Sequence, residues 1–399
     1  MYDVIVVGAR CAGSPTAMLL ARQGYRVLLV DRAKFPSDTL SGHYIHQPGV
    51  TRLKRWGLLE PIVRSNCPPI TRATFDLGPF ALTGSAPPAS ENAAAYAPRR
   101  TVLDKILVDA AVESGAELRE CFCTQEIVRD GDRVIGIRGR AAGGASVTDT
   151  ARIVVGADGR HSLLARAVGP AEYHAKPSLT CAYFSYWSDI SIGGIELYAR
   201  DGRMVGAFPT NDDLVCVFVQ WPRREFHAFR ADVEASYLAT IDLIPGLAER
   251  VRSGRRAERI VGTADLGNLF RKPYGPGWAL VGDAGYHLDP ITGQGITDAF
   301  RDAELLAAAI DSGLSGRQPV DDALADYEQR RNEAAMPAYD FACGLATLEP
   351  PTPDLQQFFA SLRGNQAETD RFFGTIAGTV PVGDVFAPAN IERVIALAA

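Results

Sequence analysis

The chain has 399 residues, of which 47% are hydrophobic and 22% are charged. At ~100–200 residues per domain this length suggests roughly two or three domains, and the composition excludes a disordered chain, a collagen and a small disulfide-stapled protein. The formal net charge of −6 gives no support to nucleic-acid binding, and no uncharged apolar run approaches the ~18 residues of a membrane-spanning helix.

The cysteines and the first residues bear on the cellular compartment. The seven cysteines are an odd number and contain no C-x-x-C pair, which favours reduced thiols in a cytoplasmic protein and predicts no zinc or other metal site. A strand pattern begins at Tyr2, which leaves no room for a signal peptide. Composition leaves the oligomeric state open.

The first 31 residues predict a βαβ unit. Residues 4–7 and 27–30 are short apolar runs typical of buried parallel strands, while residues 13–22 have the spacing of a helix. Gly24 supplies the stop signal between the helix and the second strand. A unit of this length is the building block of dinucleotide-binding sheets.

The loop between the first strand and the helix is Gly8-Ala9-Arg10-Cys11-Ala12-Gly13, close to the pattern G-x-G-x-x-G. Glycines here allow a tight turn and bring backbone N–H groups to a pyrophosphate, although Arg10 replaces the middle glycine. Asp31 stands 18 residues after Gly13, near the ~20 expected for an acid that binds an adenosine ribose. The loop therefore predicts a dinucleotide site.

The next part of the chain combines loops, one helix and short strands. Residues 35–50 predict a loop with a short helix, and residues 81–98, rich in Ala, Pro and Ser, predict a surface loop. Residues 101–114 have helical spacing. Short strands are predicted over 126–128, 134–137 and 152–155.

Residues 176–222 change the character of the chain. Four strands joined partly by hairpin-like turns are predicted here, over 180–187, 195–199, 204–208 and 214–221. They form an antiparallel sheet inserted into an otherwise α/β chain. After this sheet we expect a buried strand at 278–281, a helix from 296 and a mostly helical tail from 320, broken at 350–353.

A second motif follows the strand predicted at 152–155. Asp158-Gly159 comes at the end of this strand, and Ser162 and Arg166 stand on the first two turns of the next helix. Taken alone, this pattern is equally typical of an ordinary strand that ends in a turn.

A third motif follows the strand predicted at 278–281. Gly282-Asp283 brings a carboxylate to a loop, where it can bind ribose or ribityl hydroxyls. Pro290 and then Gly293-Gln294-Gly295 open the next helix. A glycine-rich helix start offers free N–H groups and the positive end of a dipole to an electron-rich ring.

The three motifs in this order resemble the flavoprotein monooxygenase superfamily typified by para-hydroxybenzoate hydroxylase, over residues 3–310. Geranylgeranyl reductases and flavin-dependent halogenases share much of the pattern. A further similarity is Arg100 followed by Leu103 and Asp104, because that arginine lies over the cofactor phosphates or the ribityl chain in the family.

Pattern and resemblance together imply a mixed α/β (α+β) fold, with a Rossmann-like FAD-binding domain, an inserted antiparallel-sheet substrate domain and a helical C-terminal tail. The expected bounds are 1–75, 97–170 and 265–330 for the FAD-binding domain, 76–96 and 171–264 for the substrate domain, and 331–399 for the tail. The resemblance implies that FAD is bound by residues of every motif, namely Gly8, Arg10, Cys11, Ala12, Gly13, Asp31, Arg32, Arg100, Asp158, Gly159, Ser162, Arg166, Gly282, Asp283, Pro290, Gly293, Gln294 and Gly295.

The resemblance also implies the chemistry. It implies an FAD-dependent monooxygenase that uses NAD(P)H as a transient reductant, forms a flavin C4a-hydroperoxide with molecular oxygen and hydroxylates an aromatic or polycyclic small molecule. The inserted sheet would be a lid that keeps the pocket dry. His43, His46 and Asp289 are the candidate catalytic residues, because the loop 38–47 and Pro290 approach the flavin in that family.

Two other functions remain open on the sequence. One is a flavin-dependent reductase or dehydrogenase that acts on an alkene, of the geranylgeranyl-reductase type. The other is a halogenase, which is less favoured because tryptophan-type halogenases carry W-x-W-x-I-P. The four tryptophans of this chain, Trp56, Trp187, Trp221 and Trp278, are never two residues apart.

Overall fold

The computed structural model describes residues 1–397. The α-helices of these residues are α1 (Gly13–Arg22), α2 (Gln47–Trp56), α3 (Leu59–Arg64), α4 (Arg100–Glu113), α5 (Leu163–Val168), α6 (Phe226–Ala231), α7 (Val233–Ile241), α8 (Pro245–Ser253), α9 (Gly295–Leu314), α10 (Val320–Leu345), α11 (Pro353–Ser361), α12 (Gln366–Ala377), α13 (Val382–Phe386) and α14 (Pro388–Leu397). We find no helix in this part of the chain with the length and apolar character needed to span a bilayer.

The strands of the same residues are β1 (Tyr2–Val7), β2 (Val27–Val30), β3 (Ala73–Asp76), β4 (Ala81–Gly84), β5 (Glu117–Arg119), β6 (Cys123–Asp130), β7 (Arg133–Arg140), β8 (Ser146–Gly156), β9 (Glu172–Lys176), β10 (Thr180–Ser188), β11 (Ile195–Arg200), β12 (Arg203–Pro209), β13 (Val215–Pro222), β14 (Arg255–Arg256), β15 (Val261–Thr263), β16 (Asn268–Arg271), β17 (Tyr274–Gly275), β18 (Trp278–Leu280) and β19 (Tyr286–His287). They form two eight-stranded sheets and a small sheet of β19, β16 and β9.

The first sheet has the order β17-β18-β8-β1-β2-β5, and the β6–β7 hairpin extends it through β8. β1 lies at its centre, parallel to β2 and β8, with Val4 opposite both Val27 and Ile153. Both faces of β1 and β2 are buried, which explains why their sequences are continuously apolar. The carboxyl ends of β1, β2, β8 and β18 meet at one edge, where doubly wound sheets bind ligands.

The second sheet has the order β14-β10-β13-β12-β11-β3-β4, with β15 on β10. The strands from β10 to β13 pair in antiparallel fashion, whereas β3 joins β11 in parallel. These are the four strands predicted between residues 176 and 222, and the mixed α/β class is confirmed with them. One face of this sheet packs on α6, α7 and α8, and the other faces a cleft.

Residues 81–98 differ from the surface loop predicted for them. Ala81–Gly84 forms β4 and pairs with β3, while Tyr96 exchanges backbone hydrogen bonds with Ile45 and is buried. Small residues gave this segment no hydrophobic pattern. Its burial comes from partners that lie far away in the sequence.

The helices form two layers. α9 packs against α1, α2 and α10 beside the first sheet. α11 to α14 form a separate layer, in which Phe359 and Phe372 contact Phe75 of β3. The tail is helical as predicted, and its break at 350–353 falls between α10 and α11. This second layer closes one side of the cleft.

Candidate active site

A cleft of about 990 Å³ lies between the carboxyl edge of the first sheet and one face of the second. This volume is at the upper end of the ~300–1,000 Å³ of small-molecule sites, and therefore suits a large ligand. We call the part lined by the loops after β1, β2, β8 and β18 the cofactor end, and the part lined by β10, β12 and β13 the substrate end. The candidate site residues line this cleft with three exceptions: Gly13, Ser162 and Gln294.

At the cofactor end, two glycines make the turn after β1 possible. Gly8 has a φ of +102°, and a Cβ there would lie 2.5 Å from the carbonyl oxygen of Ala157. A Cβ on Gly13 would lie 1.8 Å from the carbonyl oxygen of Gly8, so the start of α1 packs directly on the loop. Only glycine fits at either position, which leaves the backbone N–H groups of this loop open to a phosphate.

Asp31 holds this loop in place. Its Oδ2 accepts the N–H of Ala9 at 2.7 Å, and its Oδ1 accepts the N–H of Ala33 at 2.8 Å. A carboxylate has about four lone-pair sites, so Asp31 can still accept hydrogen bonds from hydroxyls. The acid at the end of β2 therefore shapes the loop and keeps capacity for a ligand.

Arg10, which replaces the middle glycine of the motif, is part of a buried ion cluster. Its guanidinium pairs with Asp104 of α4 and donates to Ser37 Oγ at 2.9 Å. Asp104 is fully buried and also pairs with Arg100 at 2.9 Å. The Arg10 side chain thus ties the loop after β1 to α4 and to the loop at Ser37, and Arg100 stays at the wall of the cleft.

The second motif combines a helix cap with unpaired polar atoms. Asp158 Oδ2 accepts the N–H of Leu163 at 2.7 Å, and Ser162 Oγ accepts the N–H of Ala165 at 3.2 Å, so both cap α5. Asp158 Oδ1 and Arg160 Nη1 are buried and have no hydrogen-bond partner within residues 1–397. Burial raises the pKa of Asp158. These two unpaired atoms at the cofactor end are what a bound polar ligand would satisfy.

The third motif places one acid in the cleft and fixes another. Asp283 lies in a short 3-10 turn, Gly282–Ala284, and is exposed to the cleft. Asp289 is fully buried; its carboxylate accepts hydrogen bonds from Thr180 Oγ1, Gln220 Nε2 and the N–H of Ile291. Burial raises the pKa of Asp289 to about 6. Asp289 therefore ties the third motif to the second sheet through Thr180 and Gln220.

The start of α9 faces the cleft with its backbone. Gly293 has a φ of +68°, and a Cβ on Gly295 would meet no atom within 4 Å. Gln294 instead turns its side chain away and donates to the carbonyl oxygen of Ile376 at 2.7 Å. The helix N-terminus is thus open to a ligand, and α12 is tied beside it.

The substrate end is an aromatic face of the second sheet. Phe184, Phe208 and Phe218 lie on adjacent strands, because Phe184 is opposite Phe218 and Phe208 is opposite Cys216. Side chains alternate along each strand, so Trp187 and Trp221 lie on the other face and pack in the core with α7. The sheet predicted as a lid therefore carries aromatic side chains on both faces: one face forms a wall of the cleft, and the other packs in the core.

The two candidate histidines are buried. His46 Nε2 donates to the carbonyl oxygen of Thr292 at 2.8 Å, and burial lowers the pKa of His46 to about 4. His43 Nδ1 lies 2.9 Å from the carbonyl oxygen of Ala97, and burial together with Arg99 lowers the pKa of His43 to about 3. Both rings are neutral near pH 7, and their catalytic role stays a prediction.

Four further residues that line the cleft were not predicted from the sequence: Arg160, Gln220, Thr292 and Ile376. Gln220 is a polar residue within an otherwise apolar strand, and this pattern could have indicated a role in the cleft. Arg160 stands inside the second motif and Thr292 inside the third. Ile376 gave no signal, because it reaches the cleft only through the packing of α12.

Within residues 1–397, no group of three His, Cys, Asp or Glu side chains is placed to hold a metal ion. The seven cysteines are free. The polar groups of the cofactor end are instead N–H groups, arginines and carboxylates, which suit the phosphates and hydroxyls of a dinucleotide. The glycine turn, the unpaired Asp158 and Arg160 atoms and the open start of α9 all fit FAD.

Comparison with known proteins agrees with this fit. The sequence profile of a family described as FAD binding domain matches residues 1–342. Among curated proteins, the digeranylgeranylglycerophospholipid reductase of Methanocella arvoryzae is 27% identical over 350 residues, which is 85% of each chain.

Two solved structures share the fold. The myxobacterial chondrochloren halogenase CndH matches with a TM-score of 0.81 and 22% identity, over 100% of this chain and 96% of its own. PqsL of P. aeruginosa, in complex with 2-aminobenzoylacetate, matches with a TM-score of 0.73 and 22% identity, over 87% of this chain and 96% of its own. At these identities the two structures show the fold alone.

Proposed function

We propose that this chain, which belongs to the FAD binding domain family and is an FAD-dependent oxidoreductase, is an NAD(P)H-dependent monooxygenase that hydroxylates an aromatic or polycyclic small molecule. The observation that carries the proposal is the aromatic face of the second sheet, which continues directly from the cofactor end of the cleft. A flat apolar substrate would lie on this face beside the open start of α9.

The cofactor end would hold FAD through the groups described above. The N–H groups after Gly8 and at the start of α1 would bind the pyrophosphate, and Asp31 would accept from the ribose. Asp283 would accept from the ribityl hydroxyls, and Arg100 would lie against the phosphates. The N–H groups at Gly295 would face the electron-rich edge of the ring.

Bound FAD supplies two-electron redox chemistry and, in its reduced form, reactivity towards oxygen. The chain itself would exclude water and orient the substrate. Phe184, Phe208 and Phe218 would hold an aromatic ring by stacking, which is worth ~0.5–1.5 kcal/mol per ring pair beyond area burial. Ile376 and the tail helices would close the side of the cleft against solvent. A dry pocket limits loss of the oxidant to water.

The test is oxygen incorporation. The FAD-loaded protein would be given NADPH or NADH and a panel of phenols, naphthols and polycyclic hydroxyarenes under ¹⁸O₂. We expect a product that gains one labelled oxygen, with NAD(P)H oxidation stimulated by the substrate. Absence of labelled product from every compound of the panel would contradict the proposal.

A matched variant sharpens this test. Phe208→Ala opens the substrate end, and the ring of Phe208 contacts His43 and Tyr44 rather than the glycine turns and acids that would hold FAD. It should bind FAD as the parent does, and divert a larger share of NAD(P)H consumption to hydrogen peroxide. An unchanged ratio of product to peroxide would show that the aromatic face does not contact the substrate.

A second candidate is an alkene reductase. The 27% identity to a digeranylgeranylglycerophospholipid reductase over 85% of both chains favours it. Under anaerobic conditions, the dithionite-reduced protein would then convert an isoprenoid alkene to a product with two more hydrogen atoms, with reoxidation of the flavin. Monooxygenase activity requires oxygen, so this single anaerobic turnover separates the two functions.

A further inference from the structure

His43 is held in one tautomer by its surroundings. Its Nδ1 lies 2.9 Å from the carbonyl oxygen of Ala97, and a carbonyl oxygen can only accept, so Nδ1 carries the proton. Burial and the neighbouring Arg99 lower the pKa of His43 to about 3, so the ring holds this single proton at neutral pH. Nε2 is therefore a bare acceptor.

That acceptor is buried without a partner. His43 lines the cleft and is 1% exposed, and within residues 1–397 its Nε2 makes no hydrogen bond. An unpaired buried acceptor costs ~1–3 kcal/mol, which makes it a rare feature that calls for an explanation. The backbone of His43 also has a φ of +36°, an uncommon conformation for a residue with a side chain. The unpaired acceptor is explained if a ligand in the cleft supplies the missing donor.

The surroundings of His43 describe that ligand. The ring stacks on Tyr186 with centroids 5.7 Å apart, and the edge of Phe208 lies 5.4 Å from it. Resting on the proposed function, we infer that His43 is a specificity-determining residue whose Nε2 accepts a hydrogen bond from a hydroxyl or N–H group on the aromatic substrate. The chain would thus select ring systems that carry a donor at the end that docks beside Phe208.

Gln220 offers another unpaired acceptor in the cleft, Oε1, but at a different place. Phe208, beside His43, is opposite Cys216 of β13, and Gln220 is four residues further along that strand. At ~3.3 Å per residue the backbone of Gln220 lies ~13 Å from that of Cys216, so Gln220 belongs to a different part of the aromatic face. His43 is therefore the unpaired acceptor beside Phe208.

The first test uses two probes that share a ring and an oxygen atom, which carries a hydrogen in one and a methyl group in the other. 2-Naphthol and 2-methoxynaphthalene present the same ring, but only the first can donate a hydrogen bond. Binding to the FAD-loaded protein would be measured by calorimetry. We expect 2-naphthol to bind about tenfold more tightly, since leaving a buried acceptor unpaired costs roughly 1.4 kcal/mol or more.

Variants separate the acceptor from the ring contact. His43→Phe keeps an aromatic ring and removes the acceptor, so the preference for 2-naphthol should disappear. Phe208→Leu removes a ring contact and keeps the acceptor, so it should weaken both probes by the same factor and leave the preference unchanged. A preference retained in His43→Phe would overturn the inference.

A spectroscopic readout reports on the nitrogen itself. In protein labelled with ¹⁵N-histidine, His43 should show a protonated Nδ1 and a bare Nε2. 2-Naphthol should move the Nε2 resonance, whereas 2-methoxynaphthalene should leave it in place. A His43 ring protonated at Nε2, or an Nε2 resonance that ignores 2-naphthol, would also overturn it.

The outcomes separate this inference from the proposed function. If both probes bind equally to the parent protein, the cleft accepts aromatic rings but His43 does not select them. If neither probe binds up to its solubility limit, this inference fails, because the aromatic face then binds no simple ring. Labelled-oxygen incorporation judges the proposed function independently of either result.

Discussion

The two ends of the cleft are built by opposite means. The cofactor end consists of backbone turns, glycines and ion pairs at the ends of parallel strands, and its glycine and acid motifs are each short in sequence. The substrate end is an aromatic sheet face with few polar atoms. Steric and charge requirements of the loops fix the cofactor end, whereas packing between distant strands fixes the substrate end. Four predictions test this contrast.

The largest effect is expected at the turn after β1. Gly8→Ala places a Cβ 2.5 Å from the Ala157 carbonyl oxygen at a φ of +102°. It should destabilise the fold by about 3 kcal/mol and abolish FAD binding, because strain and overpacking add. Gly24→Ala is the control, since its φ is +88° but no atom lies within 4 Å. It should cost roughly 1–2 kcal/mol and keep FAD. Equal losses in chemical unfolding would refute the close approach.

The next effect is a dependence on pH that comes from three buried groups of the cleft, His43, His46 and Asp289. The pKa of His43 is lowered from 6.5 to about 3 and that of His46 to about 4, so the folded chain binds fewer protons and loses stability as pH falls below 6.5. The pKa of Asp289 is raised from 3.8 to about 6, so the folded chain binds more protons at this group. Asp289 therefore adds stability as pH falls from 6 to 4, and this stability is lost as pH rises through 6. Between pH 6 and pH 4, the gain from Asp289 offsets the loss from one histidine. The other histidine then lowers the free energy of unfolding by about 1.4 kcal/mol for each unit that the pH falls.

His43→Phe removes one of those histidines. Urea unfolding at pH 6 and pH 4 should therefore show a drop about 2.7 kcal/mol smaller than in the parent. Contributions of the other groups cancel in this difference. A drop of the same size in both proteins would mean that His43 titrates normally and is not desolvated.

A smaller effect is expected from one carboxylate at the cofactor end. Asp283→Ala should weaken FAD binding by ~1.5–3 kcal/mol, or about ten- to 150-fold, since a charged acceptor is lost. Asp132→Ala is its control, because Asp132 is an exposed acid in the turn between β6 and β7 and does not line the cleft. Titration of both apoproteins with FAD measures the difference. Matching affinities in the two variants would exclude Asp283 from the site.

The smallest effect concerns the start of α9. In Gly295→Val the Cβ would meet no protein atom within 4 Å, so the apoprotein should fold normally. With FAD, the side chain would hold the ring away from the N–H groups and lower its reduction potential by about 20 mV, equivalent to ~1 kcal/mol for two electrons, or prevent binding. Gly246→Val, in the first turn of α8 and equally open, should change neither property. A potential that does not move in the FAD-loaded variant would place the ring elsewhere.

The sequence was a better guide to the cofactor end than to the substrate end. The glycine turn and the βαβ unit depend on residues within 31 positions, so their pattern predicted the observed loop. Arg10 could not be interpreted locally, because its partner Asp104 lies 94 positions away. Asp289 was chosen as a catalytic candidate from its place beside Pro290, yet two of its three hydrogen bonds come from the second sheet, and one partner lies 109 positions away. That catalytic role stays a prediction.

Alternation along a strand indicates which of its residues share a face, but it does not indicate which face lines the cleft. Trp187 and Trp221 belong to the same aromatic group in the sequence as Phe208, yet they pack in the core with α7. The sequence held no sign that α12 would reach the cleft through Ile376. Such contacts arise from the packing of whole layers, and a single sequence does not encode them in a local pattern.

The bond between Gln294 and the carbonyl oxygen of Ile376 has a consequence for the order in which the protein is assembled during synthesis. At roughly 5–20 residues per second, α12 leaves the ribosome several seconds after the start of α9. During that interval the loops of the cofactor end are already complete, while the side of the cleft is still open. A cofactor that bound during this interval would reach the cleft from the side that α11 to α14 later close.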